Sequence, residues 1–85
     1  MNNKARRIRF DYHGLKAKIR QRGMTVRELA EALGVSDNLL WRKLSGAVRF
    51  NAEDIYRIGK ALSLQPEEIG GLFFAVFESE SEAET

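Results

Sequence analysis

Two side chains in the middle of the chain have the clearest capacity for molecular recognition, the amide of Asn38 and the guanidinium of Arg42. An asparagine amide donates and accepts hydrogen bonds side by side, which matches the edge of adenine. An arginine can give guanine two parallel hydrogen bonds or clamp a phosphate. Because residues four positions apart are neighbours on a helix surface, a helix over residues 37–44 would present both together. The pair therefore predicts a surface that contacts base edges.

The remaining residues of this helix divide between its two sides. Leu40 and Leu44 are also four positions apart, and we expect them to face the core. The outward side forms what we call the base-contact face, and its residues are Asp37, Asn38, Leu39, Trp41 and Arg42.

Three of these residues leave a structural alternative open. Asp37 could accept from a cytosine amino group, but stabilisation of the helix N-terminus is the favoured role. Trp41 is balanced between a core position and contact with a thymine methyl, a sugar or the edge of the groove. Leu39 is balanced in the same way between core packing and an apolar contact with a base.

The segment that must position this face is TVRELAEALGVSDNLLWRKLSG, residues 25–46. Thr25 and Glu28 have the spacing of a capping box, which begins a first helix. Gly34 suits the left-handed position that ends it, and Ser36 can cap a second helix at once. So short a connection fixes the angle between the helices. The pattern predicts a helix-turn-helix, with its second helix in the major groove of a DNA duplex.

The distribution of charge supports a nucleic-acid partner. Residues 1–77 hold all 14 basic residues and 8 of the 12 acidic ones, a net charge of +6, whereas residues 78–85 hold four glutamates. Eight basic residues fall within the first 22 positions, where Asp11 alone opposes them. Such clustering is typical of phosphate binders. The candidate phosphate contacts are Thr25, Arg27, Lys43, Ser45, Arg49, Arg20 and Arg22.

The rest of the chain predicts an all-α domain, a compact bundle of four to five helices. A first helix follows Asp11 and ends at Gly23, a fourth begins at Asn51, and a fifth begins at Pro66. Gly70 and Gly71 are expected to end the fifth helix after one or two turns. The expected domain organisation is a basic N-terminal arm (1–9), a helix-turn-helix domain (10–77) and a disordered acidic tail (78–85).

Residues 72–77, LFFAVF, are a continuous apolar run whose length and composition favour a short C-terminal β-strand over a helix. It could pair with residues 8–10 or with a second copy. The rings of Phe73, Phe74 and Phe77 are too apolar to remain in water. We expect some to cover the core and others to form a dimer interface across a two-fold axis.

Other function classes find little support. The chain has no cysteine and one histidine, His13, which leaves no nucleophile–base constellation and no thiolate zinc site. We therefore expect no enzyme, no metal, no cofactor and no small-molecule ligand. No signal peptide or membrane-spanning run is evident, so the expected location is the cytoplasm, on the nucleoid when bound to DNA.

Residues 24–46 resemble the Cro/repressor-type (XRE-like) helix-turn-helix family of phage and bacterial regulators. The matching motifs are LAEALGVS (29–36), KLSG (43–46) and KALSLQPEEI (60–69). FDYHGLKAKI (10–19) and EEIGGLFFAVF (67–77) resemble a small phage-encoded branch of it. The resemblance implies a homodimer that binds a palindromic operator in double-stranded DNA, and a Cro-like, single-domain repressor.

Two positions depart from the family pattern. Val26 replaces a glutamine that often supports the recognition helix, and Trp41 replaces a small serine. The way in which bases are contacted is therefore expected to differ. The alternative function is an antitoxin-like protein-interaction module that also binds its own promoter.

Overall fold

A computed structural model describes residues 8–77, which form five α-helices. The helices are α1 (His13–Gln21), α2 (Val26–Leu33), α3 (Asp37–Leu44), α4 (Ala52–Ala61) and α5 (Ile69–Phe73). A 3₁₀ helix, Pro66–Glu68, leads into α5. The predicted all-α bundle is confirmed. Within the described range, no helix has the length and apolar character needed to cross a membrane.

Local hydrogen bonds set the limits of α2 and α3. The Thr25 hydroxyl accepts from the Glu28 amide at 3.0 Å, and the Glu28 carboxylate accepts from the Thr25 amide at 2.9 Å. Gly34 ends α2 with φ +77°, a conformation that costs a glycine little. The Ser36 hydroxyl then accepts from the Leu39 amide at 3.1 Å and begins α3. The predicted helix-turn-helix is thus confirmed with its predicted boundaries.

The core lies beneath α3 and joins all five helices. α2 packs against both α3 and α4, while α5 packs on α1. The buried side chains are Tyr12, Leu15, Ile19, Leu29, Ala30, Leu40, Leu44, Ile58, Leu62 and Phe73. Leu40 and Leu44 are the two that α3 contributes, as its helical period predicts.

The predicted strand over residues 72–77 is wrong. α5 continues through Gly70 and Gly71 and ends at Phe73, whose ring is buried in the core. The cost of helical glycine, about 1 kcal/mol each, is evidently outweighed by this burial. Gly14 lies against α5, where a Cβ would be in ordinary van der Waals contact with the Leu72 side chain, at 3.4 Å.

Of the expected strand pairing, one antiparallel bridge remains, between Phe10 and Val76. Beside it, the Asp11 amide donates to the Ala75 carbonyl at 2.7 Å. The Asp11 carboxylate accepts from the His13 amide at 2.9 Å, and Tyr12 occupies the N-cap position of α1. The chain segments before α1 and after α5 therefore lie side by side.

Candidate nucleic-acid interface

The base-contact face of α3 is open to solvent. Asp37, Asn38 and Arg42 are exposed, and Leu39 is half-buried. Trp41 is 50% exposed, so its ring does not fill the core, and that alternative is excluded for this structure. Two buried leucines on the opposite side hold the helix down, which leaves these polar and aromatic groups projecting from the domain.

The charges of α3 suit its helix dipole. Asp37 lies in the first turn, where backbone N–H groups make the potential positive. Arg42 and Lys43 lie in the last turn, where free carbonyl groups make it negative. The structural role of Asp37 is consistent with this placement, but contact with a cytosine amino group remains a prediction.

The predicted phosphate contacts fall into two groups. Arg20 and Arg27 are exposed, and neither side chain has a partner among residues 8–77. The others are engaged within the domain. Arg22 donates to the Leu62 carbonyl at 2.7 Å, and Ser45 donates to the Arg42 carbonyl at 2.9 Å. Thr25 uses its hydroxyl in the capping box of α2.

Arg49 and Lys43 are also engaged. Arg49 donates to the Ile8 carbonyl at 2.9 Å and lies over the Phe10 ring, 5.1 Å from its centroid. The Lys43 ammonium hydrogen-bonds to the Asp54 carboxylate on α4. To bind a phosphate, each side chain must share or leave its present partner. This costs free energy that a prediction from sequence does not include.

A model of the Cro/C1-type helix-turn-helix DNA-binding domain matches residues 14–73, and with them the whole of α2 and α3. The chain belongs to this family. The match extends from the second residue of α1 to the last residue of α5. α2 and α3 are therefore the two helices of its helix-turn-helix. α3 is the second of them, the helix predicted to carry the base contacts.

A solved structure gives independent support for this fold. It is the solution structure of the modulator of repression of the temperate bacteriophage TP901-1 from Lactococcus lactis. The two proteins superimpose with a TM-score of 0.66 and are 31% identical, over 76% of this chain and 88% of that one. No curated protein matches the chain significantly.

A cleft of about 490 Å³ opens beside the C-terminal end of α3 in this Cro/C1-type domain. Its wall combines the loop after α3, the start of α1 and the segment before it. Ser45 and Arg49 line it, and folding adds Lys16, His13 and Arg9. The sequence did not predict that Lys16 and His13 would share a cleft with Arg49, because this arrangement depends on the packing of α1.

Tyr12 lines the same cleft with a mostly buried ring. Burial raises the pKa of its phenol, and the positive charge of Arg49 opposes the rise only in part. The phenol therefore stays neutral at physiological pH and adds no negative charge to the cleft.

The aromatic end of the domain consists of Phe10, Phe73, Phe74 and Phe77. Phe73 is 1% exposed and belongs to the core of the single chain, so it is not available for the predicted dimer interface. Phe74 is 53% and Phe77 36% exposed, and the predicted interface is retained for these two rings. The Phe10 ring contacts the Phe74 ring edge-on, with centroids 5.8 Å apart.

Proposed function

We propose that this chain is a sequence-specific transcriptional regulator that binds double-stranded DNA with α3 in the major groove. The observation that carries the proposal is the exposed face of α3, projecting from a domain whose family binds DNA. The major groove is wide enough to admit one α-helix. The binding itself, by excluding polymerase from a promoter, would make the chain a Cro-like repressor of phage type.

Two residues of α3 are proposed to supply most of the sequence preference. Asn38 pairs with adenine, and Arg42 pairs with guanine through two parallel hydrogen bonds, each worth about 1–3 kcal/mol of discrimination. Trp41, exposed between them, contacts a thymine methyl group or a sugar at the edge of the groove. Leu39 adds an apolar contact at the margin of the face.

Phosphate contacts are proposed to set the register of the domain on DNA. Arg20 and Arg27 are the best placed, because both are exposed and unpartnered within residues 8–77. The cleft beside α3 adds Lys16 and Arg49, so that a backbone strand would cross its mouth. Residues 1–9, of which 1–7 lie outside the described range, are proposed to extend this track as a basic arm.

The proposed assembly is a homodimer on a palindromic operator. Phe74 and Phe77 are apolar and partly exposed at one end of the domain, which suits contact across a two-fold axis. Half-sites are then expected about 34–36 Å apart, one turn of DNA. The similar phage protein is a modulator of repression, which supports a role of this chain in the control of repression.

Selection of bound sites from a random pool of DNA duplexes tests the proposal. We expect a single enriched motif with two-fold symmetry and binding that weakens steeply with salt. Recovery of no motif, or equal affinity for all duplexes at low ionic strength, would contradict sequence-specific regulation.

The dimer is tested separately by analytical ultracentrifugation of Phe74→Glu and Phe77→Glu. Each variant is expected to shift the protein toward monomer, because it places a charge in an apolar contact. Tyr56→Glu is the matched control, since Tyr56 is an exposed aromatic residue on α4. An association state that the phenylalanine variants leave unchanged would refute the interface.

A second candidate function is an antitoxin-like module that binds a protein as well as its own promoter. The exposed Phe74 and Phe77 favour it, since an apolar surface also suits a partner protein. A toxin encoded beside this chain and co-purifying with it would support this candidate. Phe74→Glu would then abolish the complex while leaving operator binding by the free chain intact.

A further inference from the structure

A salt bridge ties α3 to the first turn of α4. The Lys43 ammonium donates to Oδ2 of Asp54, and the two side chains are only 12% and 20% exposed. The same oxygen accepts from the Asn51 amide at 2.9 Å, while the Asp54 amide donates to Oδ1 of Asn51 at 2.7 Å. One carboxylate thus completes the capping box of α4 and holds a side chain of α3.

The surroundings favour a persistent interaction. Both residues border a small recess whose other lining is apolar (Leu33, Val35, Leu40, Phe50 and Ile58) apart from Arg57. Apolar neighbours lower the local dielectric and strengthen the attraction between the charges. The α4 pair of Glu53 and Arg57 is different, because it is exposed and its attraction is screened by water.

The hydrophobic contacts of α3 select which side of the helix faces the core. Burial of Leu40 and Leu44 holds the helix against the core, but hydrophobic contact has no preferred direction. The Ser36 cap acts at the first turn alone. The bond from Lys43 to Asp54 adds a directional constraint near the last turn of α3.

We infer that Lys43 and Asp54 are positioning residues that orient the base-contact face of α3. This inference rests on the proposed DNA-binding function and reassigns Lys43, which the sequence placed among the phosphate contacts. Hydrogen bonds to base edges weaken steeply when distance and angle depart from their optimum. A small rotation of α3 would therefore cost Asn38 and Arg42 their base contacts while leaving phosphate contacts nearly intact.

Asp54→Asn and Glu53→Gln form a matched pair of variants. Both remove one negative charge from the first turn of α4, so both change the net charge of the protein by the same amount. Only the first weakens the bond to Lys43. We expect Asp54→Asn to lower the affinity ratio between selected and scrambled duplexes about tenfold, or about 1.4 kcal/mol, and Glu53→Gln to leave that ratio unchanged.

Rescue and salt dependence separate positioning from simple loss of stability. Asp54→Glu keeps the carboxylate and suits a capping box, so we expect it to retain the ratio. Lys43→Met should lower the ratio without changing the slope of affinity against salt. A lysine bound to phosphate would instead reduce that slope by about 1 on removal. All affinities are measured at a temperature where circular dichroism shows each variant folded.

A readout without DNA makes failure of this inference distinguishable from failure of the proposed function. Trp41 is the only tryptophan of the chain and lies on α3, two positions before Lys43. We expect Asp54→Asn, and the charge-neutral double variant Lys43→Met/Asp54→Asn, to change its emission and its quenching by acrylamide. Glu53→Gln should not.

Three results would overturn the inference. The first is unchanged Trp41 fluorescence in Asp54→Asn and in the double variant Lys43→Met/Asp54→Asn. The second is equal discrimination by Asp54→Asn and Glu53→Gln. The third is a salt slope that falls by one unit in Lys43→Met, which would return Lys43 to the phosphate contacts. If the wild-type protein prefers no duplex, the proposed function fails, and the fluorescence comparison still decides whether the bond orients α3.

Discussion

The base-contact face of α3 and the aromatic end both expose large side chains, but they are built for different partners. On α3 the exposed groups are an amide, a carboxylate, a guanidinium and an indole, most of which form directional hydrogen bonds. At the aromatic end the exposed groups are the rings of Phe74 and Phe77, which gain most from contact with another apolar surface. One domain thus carries a polar surface suited to DNA and an apolar surface suited to protein.

The two regions also differ in how they are held. α3 begins at a cap made by residues 36 and 39, and two leucines one turn apart anchor it. The aromatic end is assembled from the two ends of the described chain, through the Phe10–Val76 bridge and the contact of Phe10 with Phe74. Exposure therefore follows helical period in α3 but depends on long-range contacts at the aromatic end.

The largest effect is expected from adjacent phenylalanines at the aromatic end. Phe73→Ala should destabilise the fold by about 3–5 kcal/mol, because it empties a buried position. Phe74→Ala should cost less than about 1 kcal/mol of monomer stability, since that ring is half exposed. Chemical denaturation of both variants provides the measurement. Similar losses at the two positions would show that the observed burial is wrong.

A smaller effect, on binding alone, is expected at α3. Arg42→Ala should lose about 1–3 kcal/mol of discrimination between selected and scrambled duplexes, because a base contact disappears. Arg27→Ala should weaken binding to both duplexes alike and reduce the salt slope by about 1. Titration at several salt concentrations measures both. Full discrimination in Arg42→Ala would remove this residue from the base-contact face.

The cap of α3 is expected to contribute about 1 kcal/mol to stability. Ser36→Ala removes the hydroxyl that accepts from the Leu39 amide, whereas Ser36→Gly should cost only a few tenths of a kcal/mol. Thermal unfolding of the two variants, compared with wild type, tests the difference. A Ser36→Ala variant as stable as wild type would mean that the cap contributes little.

The smallest effect is expected where a cation meets the aromatic end. The Arg9 guanidinium lies 4.6 Å from the centroid of the Phe77 ring, a contact worth about 0.5–1 kcal/mol when exposed. Phe77→Leu keeps an apolar side chain but removes the ring electrons. In a double-mutant cycle, Arg9→Met should then lower the stability of the Phe77→Leu variant by less than it lowers the stability of the wild-type protein. Additive losses would show that the pair does not interact.

Much of the DNA-binding motif could be predicted from residue types alone. The capping box of Thr25 and Glu28, the left-handed Gly34 and the Ser36 cap all act within a few residues. The alternation of buried and exposed positions along α3 followed from helical period. Whether Trp41 is buried or exposed could not be predicted, since a lone aromatic residue suits either the core or the base-contact face until its neighbours are known.

Other parts of the candidate site depended on partners far away in the chain. Lys43 has the residue type of a phosphate contact, but α4 provides Asp54 within hydrogen-bonding reach. Lys16 and His13 entered the cleft because the start of α1 lies beside Arg49. Neither relation leaves a periodic or local signal that sequence reasoning could detect.

The amino-acid sequence by itself determined the helix-turn-helix, its boundaries and the chemistry that α3 presents, because caps, turns and helical period act over short distances. Tertiary structure alone decided that residues 72–73 continue a helix, that Phe73 is buried beside an exposed Phe74, and that Lys43 meets Asp54. The physical reason is that these outcomes depend on competition for one core and on which charges folding brings together. Such energies arise between elements and are not encoded in any single segment.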